Sequence, residues 1–151
     1  MPRTTKRTWI LIADGGRARV LQSMGGGQHL EEVVGLVQAI DLPASRDIAD
    51  DKQGRSYDSV GSHRHAIERR TDPHRELKRH FAEHLAEMID ARAAEGALDR
   101  LVVVAPAVTM GDLRPAFSKR VSALVTAEIV SDLTKVPDDE IMQHLEKHVT
   151  L

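Results

Sequence analysis

The 151-residue chain carries 21 Lys and Arg against 23 Asp and Glu, a net charge of -2 with His neutral, and 41% of its residues are apolar and 29% charged. These proportions exclude the low-hydrophobicity, high-charge regime of disordered chains, and the length suits one domain that buries roughly 70% of its unfolded surface around a single core. The absence of Cys excludes a disulfide framework, a thiolate metal site and a thiol nucleophile.

Arg3, Lys6 and Arg7 precede the apolar run Trp9 to Ala13, which ends at Asp14. That run is shorter than the ~7 to 15 residues of a signal-peptide core, and no stretch approaches the ~20 apolar residues of a membrane helix. The expectation is a cytoplasmic protein without membrane insertion. Thr8 to Ala13, the turn signal Asp14-Gly15-Gly16 and the short apolar run Ala18 to Leu21 predict a hairpin. A Gly-rich turn at 24–28 leads into a third predicted strand, Leu30 to Val37, marked by Val33, Val34, Leu36 and Val37.

From Asp41 to Thr71 no periodicity is sustained, and Pro43, Gly54 and Gly61 are set among many charged residues. A loop of that size exceeds the ~12 to 15 residues that ordinary connections reach, and loops of this kind in compact domains are usually functional or disordered. Asp72-Pro73 then opens a helix, with Asp able to cap free N–H groups and Pro tolerated at the first helical position. Leu77, Phe81, Leu85, Met88 and Ile89 line one core-facing stripe until Gly96 stops the helix.

Leu101 to Ala105 is apolar without alternation, the pattern of a strand covered on both faces, and is expected at the sheet centre. Thr109-Met110-Gly111-Asp112 has the form of a capping box, with Leu113, Phe117, Val121 and Leu124 marking a second helix whose regular part Pro115 should delay. Thr126 to Val130 predicts a last strand. Pro137-Asp138-Asp139-Glu140 places proline and three acids at the positive end of a C-terminal helix carrying Ile141, Leu145 and Val149. The fold class is therefore α/β, one domain over residues 1–151 with a mixed β-sheet and packed helices, in the order β-β-β-loop-α-β-α-β-α.

Charge is unevenly distributed. Between Lys52 and His80 there are eight Lys or Arg, four His and only Asp58, Glu68, Asp72 and Glu76 in opposition. Within and just before this stretch Arg46, Arg55, Arg64, Arg69 and Arg70 suit phosphate oxygens, His65 adds a donor, and Tyr57, the one tyrosine, can stack on a base. The competing reading is a solvated loop folded back on its own acids. His63, His65, His74, His80 and His84 invite a metal reading, since His80 and His84 are one helical turn apart. Phe81, however, occupies the place of the Glu that a zinc-binding His-Glu-x-x-His helix needs and belongs to the core stripe, so these read as surface histidines. Asp14, at the end of the first strand, is where an RNase-H-like nuclease would place a metal-binding carboxylate, and Asp112 follows the strand at Leu101, yet two-metal chemistry needs several convergent acids, and Asp14 reads better as a turn residue. No metal and no cofactor is expected.

The segments from Trp9 (Trp-Ile-Leu-Ile-Ala-Asp-Gly-Gly-Arg-Ala-Arg-Val), from Gly54 (Gly-Arg-Ser-Tyr-Asp-Ser-Val-Gly) and from Arg64 (Arg-His-Ala-Ile-Glu-Arg-Arg-Thr-Asp-Pro-His) resemble the bacterial host attachment protein family. Leu-Val-Val-Val-Ala-Pro from Leu101, Gly-Asp-Leu-Arg from Gly111 and Glu-Ile-Val-Ser-Asp-Leu-Thr from Glu128 extend the resemblance over nearly the whole chain. It implies a protein that affects attachment from within the cell. More distantly, the order of elements resembles the middle domain of archaeal and eukaryotic class-1 peptide-release factors, which implies an RNase-H-like fold and says nothing by itself of activity. That domain carries a catalytic Gly-Gly-Gln at the tip of its long loop. Here Gly61-Ser62-His63 stands near that place, while Gly26-Gly27-Gln28 lies in the turn before the third strand. The leading expectation is a non-catalytic interaction module whose partner is the ribosome, tRNA or a protein of the attachment pathway. The alternative is a metal-dependent hydrolase or nuclease using Asp14 and the loop histidines.

Overall fold

The computed structural model describes residues 6–23, 30–33, 38–39 and 73–148. Strand β1 (Thr8–Ala13) is buried at every position and pairs antiparallel with β2 (Arg17–Ser23) and parallel with β5 (Arg100–Ala105). The latter pairs parallel with β6 (Val125–Val130), so the sheet runs β3-β2-β1-β5-β6, where β3 is Leu30–Glu32. β4 (Gln38–Ala39) pairs with the other end of β2. Of the strand expected from Leu30 to Val37, Leu30–Glu32 is formed, Val33 lies just past it, and Val34, Leu36 and Val37 lie outside the described residues. One edge of β2 takes two short partners in turn, β3 against Leu21–Ser23 and β4 against Arg17–Ala18.

The sheet is covered on both faces. Alternation along β1 sends Trp9, Leu11 and Ala13 to one side, where with Leu101 and Val103 they meet α1 (Pro73–Ala94) through Phe81, Leu85 and Ile89. Ile10, Ile12, Val102 and Val104 face the other side and pack on Leu133 and on Ile141 and Leu145 of α4 (Asp138–Glu146). This double cover explains why β1 and β5 both read as continuous apolar runs. It also corrects the expected centre. β1 occupies the middle of the strand order, and β5 lies one place nearer the β6 edge.

Helix α1 begins and ends where the sequence places it, and Gly96 closes it at φ 73° with the paired bonds of a Schellman turn, Ala97 N–H to Arg92 C=O and Gly96 N–H to Ala93 C=O, both 3.0 Å. Its predicted stripe is shorter than expected. Leu77 is 37% exposed, because the first turns of α1 extend beyond the strand ends, and Ala82 and Ala86 supply buried surface instead.

The second predicted helix is two helices. α2 (Ala107–Ala116) starts from Pro106 as N-cap residue, whose carbonyl accepts Met110 N–H at 2.8 Å, so Thr109 lies inside the helix and forms no capping box. Pro115 acts at the end of the helix and not at its start: lacking an N–H, it weakens the last turn, and Phe117 is already extended. Ser118 then caps α3 (Lys119–Leu124), its Oγ accepting Val121 N–H at 3.1 Å. The C-terminal helix matches expectation through Ile141 and Leu145, while Val149 lies outside the described residues. Among the described residues no helix is long and apolar enough to cross a membrane.

Candidate functional site

Past the carboxyl ends of β1 and β5 the chain leaves the sheet in opposite directions. β1 turns back through a hairpin into β2, whereas β5 crosses over through α2 and α3 to β6. Adjacent parallel strands whose connections diverge leave a crevice between them, the place where open α/β sheets hold ligands. A cleft of about 620 Å³ occupies it, lined from the β1–β2 turn, the start of α1, the start of α2 and Lys135 of the segment before α4.

Each wall is fixed by identifiable contacts. Asp14 shapes the turn, its Oδ1 accepting the N–H groups of Gly16 and Arg17, both at 2.7 Å, which is the turn role read from the sequence. Its Oδ2 stands 3.2 Å from the Thr134 hydroxyl, whose proton also has Asp132 Oδ1 within 2.6 Å, so the turn lies against the residue next to Lys135. Arg19, on β2, holds the same segment from beneath, donating to the carbonyls of Thr134 (3.1 Å), Leu133 (3.3 Å) and Val136. Arg19 Nε stands 3.2 Å from Asp138 Oδ1, an ion pair without the alignment of a hydrogen bond. Lys135 therefore projects from an anchored segment.

The α1 wall is held by Arg75, whose two terminal nitrogens grip the Asp112 carboxylate of α2. This fork fixes the start of α1 beside the start of α2. His74 and Lys78 line the cleft from α1, and the Lys78 stem lies across the Gly15 backbone so closely that a Cβ there would sit 2.8 Å from its Cγ and Cδ. Gly15 is needed here for that close approach.

The cleft is cationic. Arg17, Lys78 and Lys135 line it against a single carboxylate, Asp14. Among the described residues none of the three has a carboxylate within ion-pair distance. Three cationic side chains against one carboxylate give the cleft a positive potential, which suits an anion such as a phosphate or carboxylate.

The site residues expected from the sequence, Arg46, Arg55, Tyr57, Arg64, His65, Arg69 and Arg70, lie outside the described residues, as do Gly26-Gly27-Gln28 and Gly61-Ser62-His63. His80 and His84 are exposed on α1, with His80 Nε2 3.8 Å from Glu76. Among the described residues no group of three His, Asp or Glu side chains could hold a metal ion. Arg17, Lys78 and Lys135 do not stand out in the sequence, and Thr109 stands out there only as a capping candidate. The signal that points toward them is positional, in the turns that follow two strongly apolar strands, Asp14-Gly15-Gly16 and Pro106.

The family model described as "Protein required for attachment to host cells" matches residues 9–145. The chain belongs to this family. No curated protein matches it. Among solved structures, the crystal structure of an archaeal translation termination factor, aRF1, is similar at 12% identity and a TM-score of 0.48, the match covering 93% of this chain and 38% of that one. A second structure, titled as an archaeal protein, is similar at 12% identity and a TM-score of 0.46 over 91% of this chain and 33% of that one. This member of the host attachment family thus spans well under half the length of either.

Proposed function

We propose that this host attachment family member is a cytoplasmic, single-domain, non-catalytic interaction protein that binds RNA, in the form of tRNA or the ribosome, across the cationic cleft and the basic stretch that precedes α1. The observation that carries the reading is the convergence of Arg17, Lys78 and Lys135, unpaired among the described residues, on one cleft at the carboxyl ends of β1 and β5. The basic stretch supports it, because Arg64, Arg69 and Arg70 stand shortly before Pro73 in the chain, and α1 carries His74 and Lys78 directly into the cleft. Ammonium and guanidinium groups contact phosphates without reading sequence, and each contact releases condensed counterions, so affinity falls with salt at a slope of roughly -0.7 per contact on single strands.

The test is anisotropy of labelled tRNA over a salt series with three proteins: the parent, the Arg17→Gln/Lys78→Gln/Lys135→Gln triple variant, and a variant with Arg55, Arg64, Arg69 and Arg70 changed to Gln. The salt slope should shrink by about 0.7 for each phosphate that a variant no longer neutralises, with melting temperatures unchanged. No binding of the parent at low salt would remove RNA as the partner, and a protein retained from lysate after RNase treatment would point to the attachment pathway instead.

A further inference from the structure

Beyond a surface for an RNA backbone, the cleft has features of a pocket for one terminal phosphate. Thr109 lines it and is only 6% exposed, yet its hydroxyl takes part in no hydrogen bond among the described residues. A hydroxyl without a protein partner on the wall of a polar cleft is free to donate to a ligand held there. Beside it, α2 starts from Pro106, which supplies no side-chain cap, so the first N–H groups of this ten-residue helix are left to an outside acceptor. Lys78, Lys135 and Arg17 complete the ring, giving three cations against the one carboxylate of Asp14, a net of two positive charges that matches a phosphomonoester dianion better than a singly charged phosphodiester. Two carboxylate oxygens would leave part of this donor set unused. On the rim Val108 is 58% exposed and offers an apolar contact for an organic body attached to the phosphate. The volume of about 620 Å³ is within the roughly 300 to 1,000 Å³ of small-molecule sites.

We infer that the cleft between β1 and β5 binds the terminal phosphomonoester of a nucleotide-sized ligand, with Thr109 and the first turn of α2 donating to the phosphate oxygens and Lys78, Lys135 and Arg17 neutralising them. The inference rests on the reading of the cleft as a phosphate site, and the same chemistry is presented by a free nucleotide or by the 5′-phosphorylated end of an RNA. Lys78 is set for this task by Gly15, which leaves no room for a Cβ beneath the lysine stem. Lys135 is set by Arg19, which donates to the carbonyls of its neighbours on either side, Thr134 and Val136.

The experiment titrates the full chain with adenosine 5′-monophosphate, adenosine and inorganic phosphate, following backbone amide resonances. Adenosine 5′-monophosphate should give saturable shifts centred on Gly15, Gly16, Val108 and Thr109, adenosine none, and inorganic phosphate weaker shifts at the same amides. Thr109→Val keeps the side-chain shape, and Lys135→Gln changes an exposed residue, so both should melt like the parent. Each should weaken binding about tenfold or more, as expected when a hydrogen bond or charge interaction with an ionised group is removed. Gly15→Ala, which displaces the Lys78 stem, should weaken it comparably. A 5′-phosphorylated RNA oligonucleotide that outcompetes its 5′-hydroxyl counterpart would identify an RNA end as the source, whereas equal competition by both alongside nucleotide binding would identify the free nucleotide. Absence of saturable shifts from adenosine 5′-monophosphate up to about 10 mM, or shifts that survive all three substitutions, would overturn the inference even where RNA still binds. Nucleotide binding without RNA binding would sustain it while removing the RNA reading.

Discussion

Phe81 and Leu77 lie one turn apart on the same stripe of α1, and the structure assigns them opposite energetic roles. Phe81 is 3% exposed and inserted among β1, β5 and α2 side chains, whereas Leu77 is 37% exposed. Truncating a buried Phe to Ala removes the transfer free energy of the ring and leaves a cavity that the surrounding strands cannot fully close, a cost of roughly 3 to 5 kcal/mol. Against a total stability of about 5 to 15 kcal/mol this is a large fraction. At about 2 to 4 °C per kcal/mol for a domain of this size, Phe81→Ala should lower Tm by roughly 6 to 20 °C. Leu77→Ala, which loses only partial burial, should cost less than about 1 kcal/mol. Urea and thermal melts read both, with the urea m-value checking that the denatured state has not changed. Equal costs for the two variants, or a Phe81→Ala protein that melts like the parent, would refute the placement of α1 on the sheet.

Two further consequences concern the ends of elements. Asp99 accepts the Arg7 backbone N–H at 2.8 Å and lies 3.4 Å from Arg7 Nε, and these interactions, the backbone bond first, hold its carboxyl below the ordinary carboxylate value. A depressed folded-state value means that the contribution is present above the unfolded value, about 3.9, and disappears as pH falls through the lower folded one. Asp99→Asn should therefore flatten the fall in stability on the acid side of about pH 4 while leaving the profile above it parallel to that of the parent, and an unchanged acid limb would contradict the Arg7 pairing. Gly96 closes α1 at φ 73° with open space where a Cβ would go, so Gly96→Ala should cost about 1 to 2 kcal/mol from backbone conformation alone, read as a lower urea midpoint at constant m-value. A cost near zero would mean that α1 does not end in the left-handed turn.

Much of the fold was legible because its signals are local. The apolar runs Trp9 to Ala13 and Leu101 to Ala105, the Asp72-Pro73 opening and Gly96 closing of α1, and the proline and acids before Ile141 each depend on a few neighbouring residues whose caps, turns and periodicity act within one element. Where two local signals competed, the reading failed. Thr109 and Asp112 have capping-box spacing, but Pro106 starts α2 earlier and Arg75 takes the Asp112 carboxylate, so a contact distant in sequence overrides a motif near in sequence.

The candidate site was less legible for a related reason. An exposed lysine or arginine reads as a solvating charge, and nothing near Arg17, Lys78 or Lys135 in the chain marks them as neighbours. By itself the sequence determined the strands Thr8 to Ala13 and Leu101 to Ala105, the first and last helices, the family resemblance and the concentration of positive charge before α1. The tertiary structure alone decided that β1 is the middle strand, that Leu77 is left beyond the sheet, and that four separate stretches of chain place three cations and the unpartnered Thr109 hydroxyl around one cleft. Periodicity states that a face must be covered and leaves open what covers it. Only the pairing of β1 with β5, with their connections leaving in opposite directions, brings those stretches to the same end of the sheet.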